Sequence, residues 1–324
     1  MPDTSALKVI HVSEIDGFTV GHADNHEFHT GCTVIMCPSG APASVFIPGF
    51  APGTRETQLL SPWNIVPAIN ALLFTGGSAF GLSAASGVVR FLLEQFVGFD
   101  AEDKLRIPIV PAAAIYDFYG NVSKGRYPDE GMGYEAAKNA VSGPLRSGPY
   151  GVGHSLSSGG LTTPPLQSPS GFGSYGLELA NGLKLAAIVA VNPLGSVVNP
   201  NTGEIISGVR HSNGSLYNRI EILQALSLLP PAGSPVLETA HTVLAAVATN
   251  AKMSKLDAYR VARMGSSGIA RAIFPSRLLF DGDIVFAMSS CTGKSFDPSF
   301  LGALAAEVVA QAIVRSVPGY HDMA

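Results

Sequence analysis

Thr242 stands at the head of an apolar, partly β-branched run that ends at Asn250. If the peptide bond between His241 and Thr242 is cut, Thr242 becomes a new N-terminus whose α-amine can serve as base for its own hydroxyl. One residue would then supply both the nucleophile and the base. A threonine that opens a buried strand is also an ordinary β-former, so this pattern alone leaves a structural interpretation open.

Two carboxylates, Asp281 and Asp283, flank Gly282 just before a strand-like run at 284–288. Residues two apart in a strand point to the same face, so both carboxylates can converge on one site. Asp-Gly is also a hairpin-turn signal, which accounts for the same residues structurally. These residues alone leave both interpretations open.

Asn192 and Tyr116 are polar residues at the ends of apolar runs. Asn192 joins strands predicted at 184–191 and 195–198, where it is either a turn former or a side-chain donor directed into a cleft. Tyr116 lies at the far end of a buried strand predicted at 107–118, whose prolines favour a sheet edge.

Gly76, Gly77 and Ser78 precede a predicted helix of about 15 residues. Their backbone N–H groups could cradle an anion or an oxyanion. The alternative is a tight turn in which Ser78 is the N-cap of the helix.

His22, His26 and His29 have a spacing that would place them on one side of a helix and suggest a metal site. The glycine, aspartate and asparagine beside them favour a polar hairpin loop instead. The sequence therefore predicts neither a metal nor a cofactor.

The composition is that of a globular protein with a sizeable core. Of the 324 residues, 46% are hydrophobic and only 14% are charged, with a net charge of −4. Lys and Arg are scattered, which excludes a nucleic-acid footprint and favours a small ligand of no charge or mixed charge. The low charge for this size predicts that other subunits cover part of the surface.

The three cysteines, Cys32, Cys37 and Cys291, cannot form an even disulfide framework. Cys32 and Cys37 are five apart on one predicted strand and should face opposite sides. Buried thiols, a first segment without a signal-peptide pattern and the absence of an apolar run near about 18 residues predict a cytoplasmic protein without a membrane span.

The predicted elements favour an α+β fold. Strands dominate 8–47, a helix-like run covers 65–72, and the Gly- and Ser-rich stretch 151–176 is a loop or domain joint. Further helices are predicted at 131–142, 217–229 and 299–316, and Ser254 and Asp257 form a capping box for another. Without regular βαβ alternation, a parallel doubly wound fold is disfavoured. The prediction is a four-layer α/β/β/α sandwich of two stacked, mostly antiparallel sheets over 1–324.

Six motifs in the chain occur in the order and spacing of a known family. They lie at 31–34, 51–57, 75–82, 242 with 247–250, 253–254 and 281–287. Through them the chain resembles, over nearly its full length, the DmpA-like family of L-aminopeptidase/D-esterases, which includes the nylon-oligomer hydrolases. The second half is most similar to the nylon-oligomer hydrolases.

The resemblance implies an α/β/β/α sandwich that cuts itself before its Ser or Thr nucleophile, giving subunits 1–241 and 242–324 that assemble further, with a tetramer as one candidate. It makes Thr242 the nucleophile and Asn192 the oxyanion donor. Tyr116 matches a substrate-facing tyrosine, and Asp281 and Asp283 match carboxylates that orient the new amine or its hydroxyl. The implied substrates are small peptides or ω-amino-acid oligomers.

The predicted chemistry is amide hydrolysis through an acyl-enzyme. An α-amine titrates near ~7.7–8, so roughly a tenth or more is free base at neutral pH. Thr242 would attack the amide carbonyl, Asn192 and backbone N–H groups would hold the oxyanion, and water would release the acyl group.

Two departures from the family pattern bear on this prediction. His241 stands where the family has Asn or Gly, and the family lysine expected after 151–153 is missing, with Gly159 and Gly160 near its place. Lys184 and Lys252 are candidate substitutes. The rival functions are acyl transfer of the ornithine acetyltransferase type and a catalytically silent homologue.

Overall fold

The computed structural model describes residues 7–101, 105–118, 126–162, 166–229 and 241–320. The strands are β1 Lys8–Ile10, β2 Thr19–Asn25, β3 Thr30–Ala41, β4 Ala43–Phe46, β5 Gly53–Arg55, β6 Ile69–Thr75, β7 Phe99–Asp100, β8 Arg106–Ile107, β9 Ala112–Ala114, β10 Ser157–Ser158, β11 Ser168–Pro169, β12 Phe172–Glu178, β13 Lys184–Asn192, β14 Ser196–Val198, β15 Ile205–Ser207, β16 Thr242–Thr249, β17 Ile273–Phe274 and β18 Ile284–Ser289. The helices are α1 Ser78–Gly81, α2 Ala84–Glu94, α3 Glu130–Lys138, α4 Arg219–Ser227, α5 Lys255–Gly265, α6 Ser267–Ala272 and α7 Pro298–Arg315.

Two larger sheets form the centre of the fold. The six-stranded sheet has the order β1-β12-β13-β16-β18-β4, and the five-stranded sheet has the order β2-β3-β6-β9-β5. All pairs in them are antiparallel except β16 with β18 and β6 with β9. Both sheets are therefore mostly antiparallel, as predicted.

Three hydrophobic cores define the layers. The side chains of β16 alternate between two of them: Leu244 lies in the core between the sheets, and Val243 lies in the core under α5, α6 and α7. A third core lies under α2 and α3 on the five-stranded sheet. Cys32 belongs to this outer core and Cys37 to the central one, which confirms that they face opposite sides. The layering confirms the predicted α+β, α/β/β/α sandwich.

Among the described residues, α7 alone is long and apolar enough to cross a membrane, judged by length and composition. Half of this helix is buried in the structure. It packs on α5, α6, β12 and β13, so its apolar residues serve as core against the six-stranded sheet.

Two predicted elements are wrong. The helix predicted at 65–72 does not form, and its second half belongs instead to β6, whose residues are all buried. Periodicity cannot separate a strand buried on both faces from a buried helix. The loop predicted at 151–176 contains most of β12. Close packing explains its glycines: a Cβ on Gly173 would overlap the carbonyl oxygen of Ala312 in α7, and a Cβ on Gly176 would overlap Ala186 in β13.

Two positional expectations also fail. The 107–118 run does not form an edge strand, because β9 lies between β6 and β5. The helix expected after Ser78 is divided into α1 and α2, and Gly77, not Ser78, is the N-cap of α1.

Candidate active site

Thr242 is the first residue of β16, and Asn192 is the last residue of the neighbouring β13. The two are Cα partners in the antiparallel ladder, and they are 3% and 1% exposed. Alternation along each strand places both side chains on the face toward the second sheet, with Leu244 and Ala190. Directly opposite side chains in such a ladder start about 5 Å apart, so the structure brings the predicted nucleophile and oxyanion donor together.

The side-chain amide of Asn192 is held by backbone groups from two other segments. Its Nδ2 donates to the carbonyl oxygen of Tyr116 at 2.9 Å, and its Oδ1 accepts the N–H of Ser157 at 3.4 Å. The phenol ring of Tyr116 packs edge to face on Phe118, with ring centroids 5.3 Å apart. Tyr116 thus reaches Asn192 through its main chain.

Asp281 and Asp283 precede β18, which runs parallel to β16. Asp283 Oδ1 accepts the N–H of Val243, the residue after Thr242, at 2.8 Å. Asp281 Oδ2 accepts the N–H of Leu278 at 2.7 Å, and its Oδ1 has no hydrogen-bond partner among the described residues. The hairpin-turn interpretation is wrong, because β18 pairs with β16 and β4 and not with the strand before it.

The two carboxyls interact electrostatically. Burial raises the pKa of Asp281, and the nearby charge of Asp283 raises that pKa further. Burial also raises the pKa of Asp283, although the Val243 N–H and the Arg277 guanidinium oppose this rise. Two buried carboxylates resist joint ionisation, so the pair retains a proton to higher pH than separate surface carboxyls would.

Gly282 contacts both sides of the bond between residues 241 and 242. Its N–H donates to the carbonyl oxygen of His241 at 2.7 Å. A Cβ on Gly282 would lie 2.8 Å from Thr242 Oγ1 and 2.6 Å from the carbonyl oxygen of Ala51. The candidate nucleophile therefore lies beside a carbonyl that a backbone donor already polarises.

His241 is 3% exposed, and its ring lies on Gly160. A Cβ on Gly160 would overlap that ring, 2.6 Å from Nε2 and closer to Cε1 and Nδ1. Burial lowers the pKa of His241 to about 4, despite a backbone hydrogen bond at Asn192 that raises it. The imidazole is consequently neutral at neutral pH. The backbone N–H of His241 donates to Phe280 at 3.4 Å.

The loop where the resemblance places a lysine lies beside this site. The N–H groups of Gly159 and Gly160 donate to the carbonyls of Gly195 and Pro193 at 2.8 and 3.3 Å, just after Asn192. The imidazole of His241 covers this loop at Gly160.

Neither candidate substitute lysine reaches the site. Lys184 begins β13, about 26 Å along the strand from Asn192, and its Nζ donates to the carbonyl of Glu14 at 3.2 Å. Lys252 is exposed beyond the far end of β16. Both lie at the opposite end of the sheet.

The N–H groups of Gly76, Gly77 and Ser78 all donate within the protein. Their acceptors are the Gly31 carbonyl, Asp117 Oδ1 and the Ile115 carbonyl, at 2.9, 2.7 and 2.8 Å. Gly77 and Ser78 have positive φ angles of 76° and 49°. This geometry is that of a tight turn, and the substrate-binding role of the three residues stays a prediction.

The histidines near the chain start belong to a β-hairpin, as predicted. His22 lies in β2 with its Nδ1 2.8 Å from Thr33 Oγ1, whereas His26 and His29 pack on the ring of His154. Within the described residues, no group of three or more His, Cys, Asp or Glu could hold a metal ion.

The α/β/β/α sandwich is the fold of the Ntn hydrolases. A family model described as peptidase family S58 matches residues 11–323, and the chain belongs to that family. The protein is accordingly an amide-bond hydrolase.

Relatives with related names align over most of the chain. An uncharacterized aminopeptidase of Mycobacterium tuberculosis is 32% identical, covering 96% of this chain and 97% of its own. A 6-aminohexanoate-oligomer endohydrolase of Paenarthrobacter ureafaciens is 29% identical, covering 94% and 84%.

Solved structures share the fold. A β-aminopeptidase of Burkholderia sp. superimposes with a TM-score of 0.67 at 19% identity. An L-aminopeptidase D-Ala-esterase/amidase of Ochrobactrum anthropi, described as a variant of the Ntn hydrolase fold, also has a TM-score of 0.67, at 17% identity. Each alignment covers 94% of this chain and 85% of the other.

Three contributors to the site were not predicted from the sequence in these roles. The His241 ring packs on Gly160, the Gly282 N–H donates to the His241 carbonyl, and the Phe280 carbonyl accepts the His241 N–H. Two of these act through the main chain, which leaves no side-chain signature. A glycine between two acidic candidates was the one available signal for Gly282.

Proposed function

We propose that the protein is a self-processing N-terminal-threonine hydrolase that cuts between His241 and Thr242 and then hydrolyses small peptides or ω-amino-acid oligomers. The observation that carries the proposal is the arrangement around Gly282. Its N–H donates to the His241 carbonyl at 2.7 Å, and its α-carbon lies beside Thr242 Oγ1.

Processing begins when Thr242 Oγ1 attacks the carbonyl carbon of His241. The C–N bond to Thr242 breaks, an ester forms at Oγ1, and the hydroxyl proton ends on the Thr242 nitrogen, which becomes an α-amine. The Gly282 N–H stabilises the negative charge that develops on the carbonyl oxygen. Water then hydrolyses the ester, leaving a carboxylate on His241 and a hydroxyl on Thr242.

Turnover repeats the attack on a substrate amide. The new α-amine takes the proton of the Thr242 hydroxyl and passes it to the leaving amine. Asn192, which lies beside Thr242 in the ladder, donates to the oxyanion, and Asp283 holds the strand start through Val243. Asp281, with an oxygen that lacks a partner among the described residues, is suited to orient the amine. The Tyr116 carbonyl accepts from Asn192, and the carbonyl of the preceding Ile115 accepts the N–H of Ser78, which links the 76–78 turn to the same segment.

The relatives support this substrate range. One is named an aminopeptidase and another a 6-aminohexanoate-oligomer endohydrolase, and both names describe hydrolysis of amide bonds. The two classes differ in whether the amine is α or ω to the carbonyl.

Mass measurement of the purified chain under denaturing conditions tests the proposal. Fragments that meet between residues 241 and 242 are expected, whereas the Thr242→Ala variant should stay whole and lose hydrolysis. Thr242→Ser is the matched control, because it keeps a hydroxyl and should still be cut. An intact 33.6 kDa chain that persists on incubation and hydrolyses no amide overturns the proposal in favour of a catalytically silent homologue.

We also propose a cytoplasmic homo-oligomer. The three cysteines are free, two of them buried. Large apolar side chains such as Trp63, Ile65 and Leu228 are exposed in the single chain, which supports contact with further subunits. Light scattering after size exclusion tests the assembly, and a monomer would contradict it.

A further inference from the structure

The uncut chain holds its own residue 241 as an acyl group beside the nucleophile. The imidazole of His241 is buried on Gly160, its backbone N–H donates to the Phe280 carbonyl, and its carbonyl accepts the N–H of Gly282. Side chain, α-nitrogen and carbonyl therefore each have a separate contact. These are the three parts of an N-terminal amino acid that an aminopeptidase must recognise.

We propose that the space over Gly160 becomes the side-chain pocket for the substrate's N-terminal residue, and that the enzyme is an L-aminopeptidase favouring histidine or a similarly sized flat side chain. The inference rests on the proposed function, since it treats self-cleavage as the first turnover. In both reactions Thr242 Oγ1 forms an ester with the attacked carbonyl carbon. In one the leaving nitrogen is that of Thr242, and in the other it is that of the substrate's second residue.

The size of the pocket is set by residue 160. A Cβ there would overlap the His241 ring, so the ring rests directly on the glycine α-carbon. Any side chain at 160 would remove the space that a ring needs. Glycine thus leaves room for a five-membered ring, whereas an alanine would admit only smaller groups.

The α-nitrogen contact selects α-amino over ω-amino substrates. The N–H of His241 donates to the Phe280 carbonyl at 3.4 Å. A substrate α-ammonium in the same position would meet that carbonyl oxygen. An ω-amino group, separated from its carbonyl by further methylenes, would lie beyond it.

A panel of p-nitroanilides tests the preference on the processed enzyme. The expected kcat/KM for L-histidine p-nitroanilide exceeds those for L-alanine, β-alanine and 6-aminohexanoate p-nitroanilides by at least about ten-fold. Free L-histidine should inhibit competitively. A preference for the alanine, β-alanine or 6-aminohexanoate compound would overturn the inference, while still confirming an amide hydrolase.

A Gly160→Ala variant tests the pocket itself. In the otherwise native chain it should slow self-cleavage, because the new methyl group displaces the His241 ring. His241→Ala should relieve that block, so that His241→Ala and the Gly160→Ala/His241→Ala double variant both yield processed enzyme. These two enzymes then differ only at residue 160. The histidine-to-glycine ratio is the kcat/KM for L-histidine p-nitroanilide divided by that for glycine p-nitroanilide, and it should be at least about ten-fold lower in the double variant.

Gly131→Ala on the His241→Ala background is the matched control, because Gly131 is an exposed glycine of α3 with an ordinary φ. A histidine-to-glycine ratio that stays within about two-fold in the Gly160→Ala/His241→Ala enzyme overturns the pocket assignment. Failure of the double variant to be cut also contradicts it. If the wild-type chain neither cuts itself nor hydrolyses any p-nitroanilide, the proposed function fails and this inference fails with it.

Discussion

Thr242 Oγ1 lies directly beside the α-carbon of Gly282, so that a methyl group on that carbon would sit 2.8 Å from the oxygen. The same methyl group would be 2.6 Å from the Ala51 carbonyl oxygen. Because the Gly282 N–H also donates to the His241 carbonyl, this glycine leaves room for the candidate nucleophile and, in the proposed self-cleavage, activates the bond between His241 and Thr242.

Gly282→Ala is therefore expected to slow self-cleavage by at least about 100-fold, the scale for loss of an oxyanion donor. The added carbon pushes Thr242 Oγ1 or the 281–283 segment away, which lengthens the hydrogen bond to the His241 carbonyl. A time course of intact and cut chain by mass spectrometry measures the rate. Gly131→Ala serves as control, and cleavage of Gly282→Ala at the wild-type rate would contradict the role of Gly282.

Asn192 gives a second prediction, because its amide is the side-chain donor beside Thr242 in the ladder. Asn192→Ala should lower kcat by about 10²–10³-fold through loss of an oxyanion donor, with a smaller change in KM. Asn70 is a buried asparagine whose amide also bridges backbone groups, Pro38 and Ile109, away from the site. Asn70→Ala should lower the melting temperature while kcat is retained, and equal loss of kcat in both variants would reduce Asn192 to a structural role.

The central part of the fold was predictable because its signals are local. Turn residues separate the strands of 8–47, Ser254 and Asp257 form the predicted capping box, and five-residue spacing placed Cys32 and Cys37 on opposite faces. The errors have a common cause. β6 is a strand buried on both faces, and β12 is a strand in close contact with α7. Neither condition produces a periodic pattern in the sequence.

The candidate site, like the fold, was predictable only in part. Thr242, Asn192, Asp281 and Asp283 were named from their residue types and a family resemblance, and the structure brings these four together at one end of the six-stranded sheet. The contact between Gly160 and His241 joins positions 81 apart in the chain, so only tertiary packing shows that the glycine and the histidine fit each other. The sequence showed a missing lysine but not what covers its place.

Asp283 gives a prediction for the pH dependence of turnover. Its charge raises the pKa of Asp281, so Asp283→Asn should lower that pKa, while the new amide oxygen can still accept the Val243 N–H. If ionised Asp281 orients the amine, the acid limb of the kcat profile moves to lower pH in Asp283→Asn. Profiles of kcat from about pH 4 to 9 measure this. Asp100→Asn, at the surface beside Arg106, is the control, and an unmoved or raised acid limb in Asp283→Asn would contradict the coupling.

His241 gives a prediction for stability, best measured in the Thr242→Ala chain, which stays whole. Burial lowers the pKa of His241 from 6.5 to about 4, so the folded chain favours the neutral ring. The resulting stability is fully present above about pH 6.5 and is lost as the pH falls toward 4. A shift of this size corresponds to up to about 3 kcal/mol. Burial lowers the pKa of His22 to about 4 as well, so His22 adds a loss of the same sign.

Replacing His241 by Gln in that chain should raise the unfolding free energy at pH 4 relative to its value at pH 6.5, because one of the two buried rings no longer titrates. Burial raises the pKa of Asp117, Asp281 and Asp283, which therefore act with the opposite sign, but these carboxyls are present in both chains. Urea unfolding at several pH values measures the slope of the unfolding free energy against pH. His26→Gln is the control, since that side chain is 81% exposed and its loss should leave the slope unchanged. An equal slope with and without His241 would mean that the ring is not buried on Gly160 in solution, and the pocket proposed there would lose its physical basis.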